Sequence, residues 1–301
     1  MAKIKNLIDN NFSLLLILGA ISGFFLPSLG EFADEVVIVL TAFLIFLSCS
    51  DIDKKAFFEI DIFHMGVFTM LRFAVFPLVL FYLVRAFLPE FSTGILLLAL
   101  MPAGVAVASL CSMSKANVVI GLSLTIVTSL LAPFVIPAVY SFLGQTVNVN
   151  VWNLFLTLIY VVLLPIVLYF FVFDKIKPVK KIIKDYNKTT AILFLSIILA
   201  IVIAAQREEI FSNIDLIVKG LFVMTGVYGI FYAFGIAYSF FLQKEEKIPY
   251  ILASGANNNS LAVGLSFAYF DPLTSLFMVL SEVIWSFYVA AAQYIFSRRK
   301  I

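Results

Sequence analysis

The chain has 301 residues, of which 63% are apolar and 13% are charged, and its mean hydropathy is +1.10. These values lie far outside the range of soluble globular domains, so the sequence predicts an integral membrane protein. One histidine (His64) and two cysteines (Cys49 and Cys111) are too few ligands for a metal cluster, and we expect the cysteines to be free thiols that pack as small apolar residues.

Membrane-spanning helices need about 17 to 25 consecutive apolar residues, and such runs can be read directly along the chain. Ten runs predict an all-α protein with ten transmembrane helices joined by short loops. In chain order they are Phe12–Pro27, Val36–Ser50, Met65–Phe87, Ser92–Ser112, Asn117–Phe142, Val151–Phe173, Thr189–Ala205, Asp215–Leu242, Ile248–Phe270 and Pro272–Phe296.

Basic residues predict how these helices are oriented. When the loops are assigned alternately to two faces, most of the twenty Lys and Arg residues fall on the face that holds both termini, including the basic loop Asp174–Lys188. The other face receives Arg85, Arg207 and Lys219. By the positive-inside rule the basic face is cytoplasmic. We therefore expect a multi-pass protein of the inner or plasma membrane with both termini in the cytoplasm.

The chain divides into two halves of five predicted helices each, residues 1–145 and 146–301. The fourth run of each half is interrupted near its middle, by Met101-Pro102-Ala103-Gly104 in the first half and Gly255-Ala256-Asn257 in the second. An odd number of helices inserts the second half upside down relative to the first. Matching interruptions in such halves predict an inverted-topology repeat with a binding site where the halves meet.

Each interruption predicts two half-helices joined by unwound backbone, whose free amide and carbonyl groups can bind ligands. Unpaired polar groups cost several kcal/mol in hydrocarbon, so these segments are expected to line a protein cavity. Serines that follow the first interruption are further candidates, although serine hydroxyls often bond their own helix. The candidate substrate-binding residues are Arg72, Pro102, Ala103, Gly104, Ser109, Ser112, Gly255, Asn257, Asn258, Asn259 and Ser260.

Two regions resemble the bile acid/sodium symporter family. Met101-Pro102-Ala103-Gly104, Ser114-Lys115-Ala116-Asn117 and Leu130-Leu131-Ala132-Pro133 resemble its fourth and fifth helices, and Gly255-Ala256-Asn257-Asn258-Asn259-Ser260 resembles its broken ninth helix. The resemblance implies a core domain of helices 3–5 and 8–10, with the broken helices crossing, and a panel domain of helices 1, 2, 6 and 7. It also implies transport of organic anions, often with sodium. Auxin efflux carriers and arsenite exporters have a similar plan and remain alternatives.

The resemblance also implies where sodium would bind, and here the chain differs. Val107 and Ala108 stand where sodium-coupled members have a Ser-Asn pair, and Ala253 or Ser254 where they have a glutamate. These replacements remove side-chain oxygens and charge, which argues against sodium coupling. Thr125 and Asn257 match the expected ligands and remain candidates for ion coupling.

Two charged residues lie inside predicted helices. Arg72 stands where the family usually has glutamine; its guanidinium could replace a bound sodium ion, either holding the crossed helices together or facing an anionic substrate. Glu282 could carry protons, or it could form a static ion pair with Arg72. Sodium and the proton are the two coupling ions left open.

The predicted function is a secondary transporter that moves a small organic anion by alternating access. An intramembrane enzyme is not predicted, because the chain shows no nucleophile with a base and no metal set. A non-transporting membrane sensor is the remaining alternative. Lipids and the organic anion are the expected partners; no nucleic acid and no cofactor other than a coupling ion is expected.

Overall fold

In a computed structural model, residues 2–29, 32–51, 62–104, 106–144 and 149–297 are described, and they form helices with one isolated antiparallel bridge. The predicted boundary between the two halves, at residue 145, lies outside these ranges. The helices are α1 (Ala2–Asn10), α2 (Phe12–Gly23), α3 (Ala33–Ser48), α4 (Ile62–Met70), α5 (Phe76–Phe87), α6 (Pro89–Ala99), α7 (Ala106–Met113), α8 (Val118–Leu143), α9 (Val151–Leu158), α10 (Leu164–Phe171), α11 (Lys177–Ser212), α12 (Ile214–Ser239), α13 (Lys247–Gly255), α14 (Asn259–Tyr269) and α15 (Pro272–Ser297).

Two five-residue π-helical segments join neighbouring helices into longer ones. Leu71–Val75 connects α4 to α5, and Ile159–Leu163 connects α9 to α10. A proline, Pro77 or Pro165, follows each segment. Proline has no N–H to bond the carbonyl four residues earlier, so a local widening of the helix accommodates it without a break. Arg72 lies within the first of these segments.

Six helical segments of the described chain are long and apolar enough to cross a membrane. Two shorter apolar helices, Leu14–Gly23 and Pro89–Ala99, fall below that length. The all-helical membrane protein expected from the sequence is therefore confirmed, whereas the count of ten transmembrane helices stays a prediction. Part of the shortfall has a simple origin: an interrupted span forms two short helices instead of one long one. The six segments are Ile62–Phe87, Val118–Leu143, Val151–Lys175, Lys177–Ser212, Ile214–Ser239 and Pro272–Phe296.

The prediction that Asp174–Lys188 forms a loop is wrong for most of this segment. Only its first residues lie outside a long helix, because α11 begins at Lys177 and continues unbroken to Ser212. Pro178 takes the second position of the helix, where the missing N–H costs nothing. The many lysines of this segment are good helix formers, so the polar sequence extends the apolar helix beyond the predicted span Thr189–Ala205.

Both predicted interruptions are present, and they contact each other. The first separates α6 from α7, and the second separates α13 from α14. Ala103 and Asn257 form the isolated antiparallel bridge between them. Helices α8 and α12 pack beside α13, and α14 packs against α3 and α15.

Contacts between helix ends agree with the predicted division of the chain into two faces. Near the basic end, Asn187 donates a hydrogen bond to Ser50 (2.9 Å). At the opposite end, Lys219 of α12 forms an ion pair with Glu90 at the start of α6. The two buried thiols, Cys49 and Cys111, are free, as expected.

Candidate functional site

The two interruptions are joined by backbone hydrogen bonds. The N–H of Gly104 donates to the carbonyl of Ala256 at 2.7 Å, and the N–H of Asn258 donates to the carbonyl of Pro102 at 2.8 Å. Groups left without helical partners in one interruption are thus satisfied by the other. Each such bond contributes about 0.5–1.5 kcal/mol, and leaving a buried group unpaired costs about 1–3 kcal/mol. Backbone hydrogen bonds therefore join the two interruptions directly.

Close approach of the two backbones explains the glycine at position 104. A Cβ atom on Gly104 would lie 2.8 Å from the carbonyl oxygen of Asn257 and 3.2 Å from that of Ala256. Both obstacles are backbone atoms, which cannot move aside as a side chain could. Any larger residue at this position would push the two interruptions apart.

Helix α8 supports the first interruption through two threonine hydroxyls. Thr128 accepts a hydrogen bond from the N–H of Ala103 (3.0 Å), and Thr125 donates to the carbonyl oxygens of Gly104 (3.2 Å) and Gly121 (3.1 Å). Thr125, a candidate for ion coupling, therefore touches the crossing directly. Its hydroxyl stabilises the unwound backbone.

Arg72 lies at the crossing and is 2% exposed. Its guanidinium donates to the carbonyl oxygens of Ala253 (Nε, 3.3 Å) and Ala99 (Nη1, 3.4 Å) and to Oδ1 of Asn257 (Nη2, 2.5 Å). Asn257 in turn donates from its amide to the carbonyl of Leu98 (3.0 Å). One side chain thus connects the last turn of α6, the last turn of α13 and the second interruption.

Arg72 and Glu282 do not form the ion pair that the sequence left open. Among the described residues, no hydrogen bond or ion pair joins the two side chains. The oxygen atoms that Arg72 contacts come from backbone carbonyls and an amide. Glu282 is 3% exposed and lies on α15, where it borders a cavity instead.

A cavity of about 480 Å³ lies beside the crossing. Its walls come from α3, α7, α11, α14 and α15 together with both interruptions, and its lining is mainly apolar. The volume falls in the range of small-molecule sites. The predicted residues that line it are Gly104, Ser109, Asn257, Asn258, Asn259, Ser260 and Glu282.

The remaining candidates lie elsewhere. Ala103 and Thr125 border a smaller neighbouring cavity of about 30 Å³, which Asn258 also reaches. Arg72, Pro102 and Gly255 are buried and do not belong to the described lining of the larger cavity, and Ser112 is exposed on α7 outside it.

Four polar lining residues were missed by the sequence analysis: Ser48, Asn187, Lys188 and Trp285. Lys188 was assigned to a cytoplasmic loop, and Trp285 lies inside the predicted span Pro272–Phe296 without interrupting it. A pairing of distant helices brings them to the cavity. No sequence spacing signals that pairing.

The electrostatics of the cavity are mixed. The amino ends of α7 and α14 border it through Ala106 and Asn259, and helix amino ends carry a partial positive charge that favours anions. Lys188 adds a full positive charge at an exposed position, and Glu282 adds a buried carboxyl group. The cavity can therefore attract a carboxylate while presenting an acceptor on another wall.

The geometry of two interrupted helices beside a cavity agrees with a sequence match. The model of the sodium bile acid symporter family matches residues 36–213, which include Arg72 and the first interruption. The chain belongs to this family. Membership confirms the resemblance seen in the sequence and, with the six apolar helices, indicates a multi-pass membrane transporter.

A similar protein in Bacillus subtilis (strain 168) extends the match to the second half. It is described as the uncharacterized sodium-dependent transporter YocS, and it is 24% identical to this family member over 287 residues. The alignment covers 91% of this chain and 87% of the relative. It therefore spans almost all of both proteins.

Proposed function

We propose that this chain is a secondary transporter that carries a small organic anion through the 480 Å³ cavity by alternating access. The cavity is the observation that supports the proposal, because it lies where both interrupted helices meet and is lined by residues distant in sequence. Binding at the interface of repeat-related broken helices is the usual arrangement in transporters of inverted topology. The ten predicted spans, the inverted repeats 1–145 and 146–301, and the core and panel domains are parts of this proposal.

The anionic group of the substrate binds at the amino ends of α7 and α14 in this proposal. Ser109, in the second turn of α7, and Ser260, in the first turn of α14, both line the cavity there. Their hydroxyls are neutral donors that can add to the first N–H groups of the helices. Lys188 at the exposed side increases the local concentration of anions.

Arg72 acts in this proposal as a built-in cation that replaces sodium. Carbonyl groups at the carboxyl end of a helix carry partial negative charge, and two such ends, those of α6 and α13, meet beside Arg72. In a buried site they need a cation. The guanidinium supplies it permanently, so transport proceeds without sodium, and Arg72 holds the crossing instead of contacting the substrate.

Alternating access is tested by labelling single cysteines from each side of the membrane. In a background with Cys49→Ala and Cys111→Ala, Ser109→Cys and Ser260→Cys are placed on the cavity wall. A membrane-impermeant maleimide is then applied to right-side-out and to inverted vesicles. We expect both variants to react from both sides, because the cavity opens alternately.

Ser112→Cys is the matched control, since it is exposed on α7 but lies outside the cavity. It should react from one side only. Reaction of Ser109→Cys and Ser260→Cys from that same single side would contradict alternating access and support a static membrane sensor.

A further inference from the structure

Asn259 presents a buried acceptor that lacks a partner. The residue is 3% exposed and lines the cavity. Its amide nitrogen donates to the hydroxyl of Tyr228 at 2.6 Å and to the carbonyl of Ser281 at 3.5 Å. Because a backbone carbonyl can only accept, this contact sets the orientation of the amide. Oδ1 then receives no hydrogen bond from any described residue.

Glu282 borders the same cavity. It directly follows Ser281, whose carbonyl Asn259 contacts, and it is itself 3% exposed on the cavity wall. No ion pair or hydrogen bond to its carboxyl group is found within the described ranges. Both residues thus line the same cavity, and neither acceptor group receives a hydrogen bond from a described residue.

Buried acceptors without a donor lower the stability of the protein unless a ligand in the cavity supplies one. An unpaired acceptor costs about 1–3 kcal/mol when buried, and an unpaired charge costs more. An organic anion without an amino group would add further acceptors and no donor, because its carboxylate would share a small cavity with Glu282. A ligand with a cationic group would instead offer hydrogen-bond donors to the acceptors of this cavity.

We infer that the substrate carries an ammonium group as well as a carboxylate, and that Glu282 and Oδ1 of Asn259 bind the ammonium group. The carboxylate binds at the amino ends of α7 and α14, with Lys188 as a further source of positive charge. The inference rests on the proposed function and narrows its substrate class to small amino acids and amine-bearing carboxylates. The cavity lining includes one basic side chain, Lys188, and one acidic side chain, Glu282, which can pair with the two ends of a zwitterion.

Matched pairs of ligands test the inference. The purified full-length protein is titrated with 3-aminopropanoate against propanoate, 4-aminobutanoate against butanoate, and 5-aminopentanoate against pentanoate. Binding is followed by calorimetry and by the thermal midpoint. For the best chain length, we expect the amino acid to bind at least tenfold tighter than its plain partner, in choline chloride as well as in sodium chloride.

Two variants identify the residue responsible. In Glu282→Gln, the amino acid of each pair should bind no more than about threefold tighter than its plain partner. The neutral amide keeps the shape of the side chain but cannot attract an ammonium group as a carboxylate does. Glu245→Gln, which alters an exposed carboxylate that is not part of the cavity lining, should keep the tenfold preference. A monodisperse, cooperatively melting Glu282→Gln protein confirms that the variant is folded.

Other outcomes overturn the inference in distinguishable ways. Equal affinities for the amino acid and its plain partner would contradict the inferred ammonium site and leave the proposed transport of anions intact. Tighter binding of the plain acid at low pH, lost in Glu282→Gln, would show that a proton occupies this site. Binding of the plain acid that requires both sodium and Glu282 would show that sodium occupies it. If no carboxylate of either series binds, the inference and the proposed anion site both fail.

Discussion

Arg72 shows how one residue can alter the chemistry of an architecture shared by a family. Its guanidinium contacts three oxygen atoms from two different broken helices, and none of them belongs to a carboxylate. The family name and the description of the relative both mention sodium. In this chain, a covalently attached cation lies at the crossing, so we expect the requirement for a free one to be absent.

The prediction is that sodium does not stabilise the native protein but does stabilise Arg72→Gln. Glutamine removes the charge and adds its own amide oxygen to the three that Arg72 contacts, giving a set of four oxygen atoms that a sodium ion can bind. The variant should lose on the order of 3 kcal/mol of stability in choline chloride, because a buried charge contact is broken. Sodium chloride should restore part of this loss.

Thermal midpoints of the purified proteins in the two salts measure the effect. Arg72→Lys is the control: it keeps the charge but loses the forked geometry, so it should be destabilised without responding to sodium. A sodium-induced rise in the midpoint of the native protein would contradict the prediction.

At the scale of elements, the crossing depends on two unwound segments approaching within hydrogen-bond distance. Gly104 allows this approach, because any Cβ atom there would meet the opposite backbone. The segments exchange hydrogen bonds in both directions, so a small separation breaks both bonds together. One added methyl group at position 104 should therefore lower the stability of the protein clearly.

Gly104→Ala is expected to lower the free energy of unfolding by about 1–3 kcal/mol, the usual cost of forcing an extra group into a packed site. Gly66→Ala is the matched control: Gly66 is an exposed glycine within α4, and a Cβ atom added there would meet no other atom within 4 Å. That change should be neutral or gain up to about 1 kcal/mol, since alanine favours helices. Equal thermal midpoints for the two variants would show that the crossing is not tightly packed.

At the scale of the whole molecule, the two ends of the helix bundle differ in charge. Lysines at the start of α11 lie at one end, and the Lys219–Glu90 pair joins α12 to α6 at the other. By the positive-inside rule, we expect the start of α11 to lie in the cytoplasm.

This orientation predicts opposite labelling of two single cysteines in the cysteine-free background. Lys184→Cys, exposed on α11, should react with an impermeant maleimide only in inverted vesicles, and Lys219→Cys only in right-side-out vesicles. Reaction of both variants in the same vesicles would mean that the number of spans between them is even, contrary to the predicted single span.

Much of this protein follows from its sequence alone. Apolar runs define membrane helices because hydrocarbon tolerates only backbone that is hydrogen-bonded within its own segment. Prolines and glycines at 102, 104 and 255 mark the breaks because proline lacks a donor and glycine allows unusual dihedrals. These effects depend only on residues that are close in sequence. The sequence could therefore predict the all-helical class, both interruptions and most of the polar lining around Asn257–Ser260.

Only the tertiary structure decided which groups meet across helices. It placed Arg72 against the carbonyl oxygens of Ala99 and Ala253 instead of against Glu282, and it brought Lys188 and Trp285 to the cavity. These contacts join residues separated by many turns of helix and depend on how whole helices pack. Packing is set by the summed shape of many side chains, which no local spacing in a sequence records.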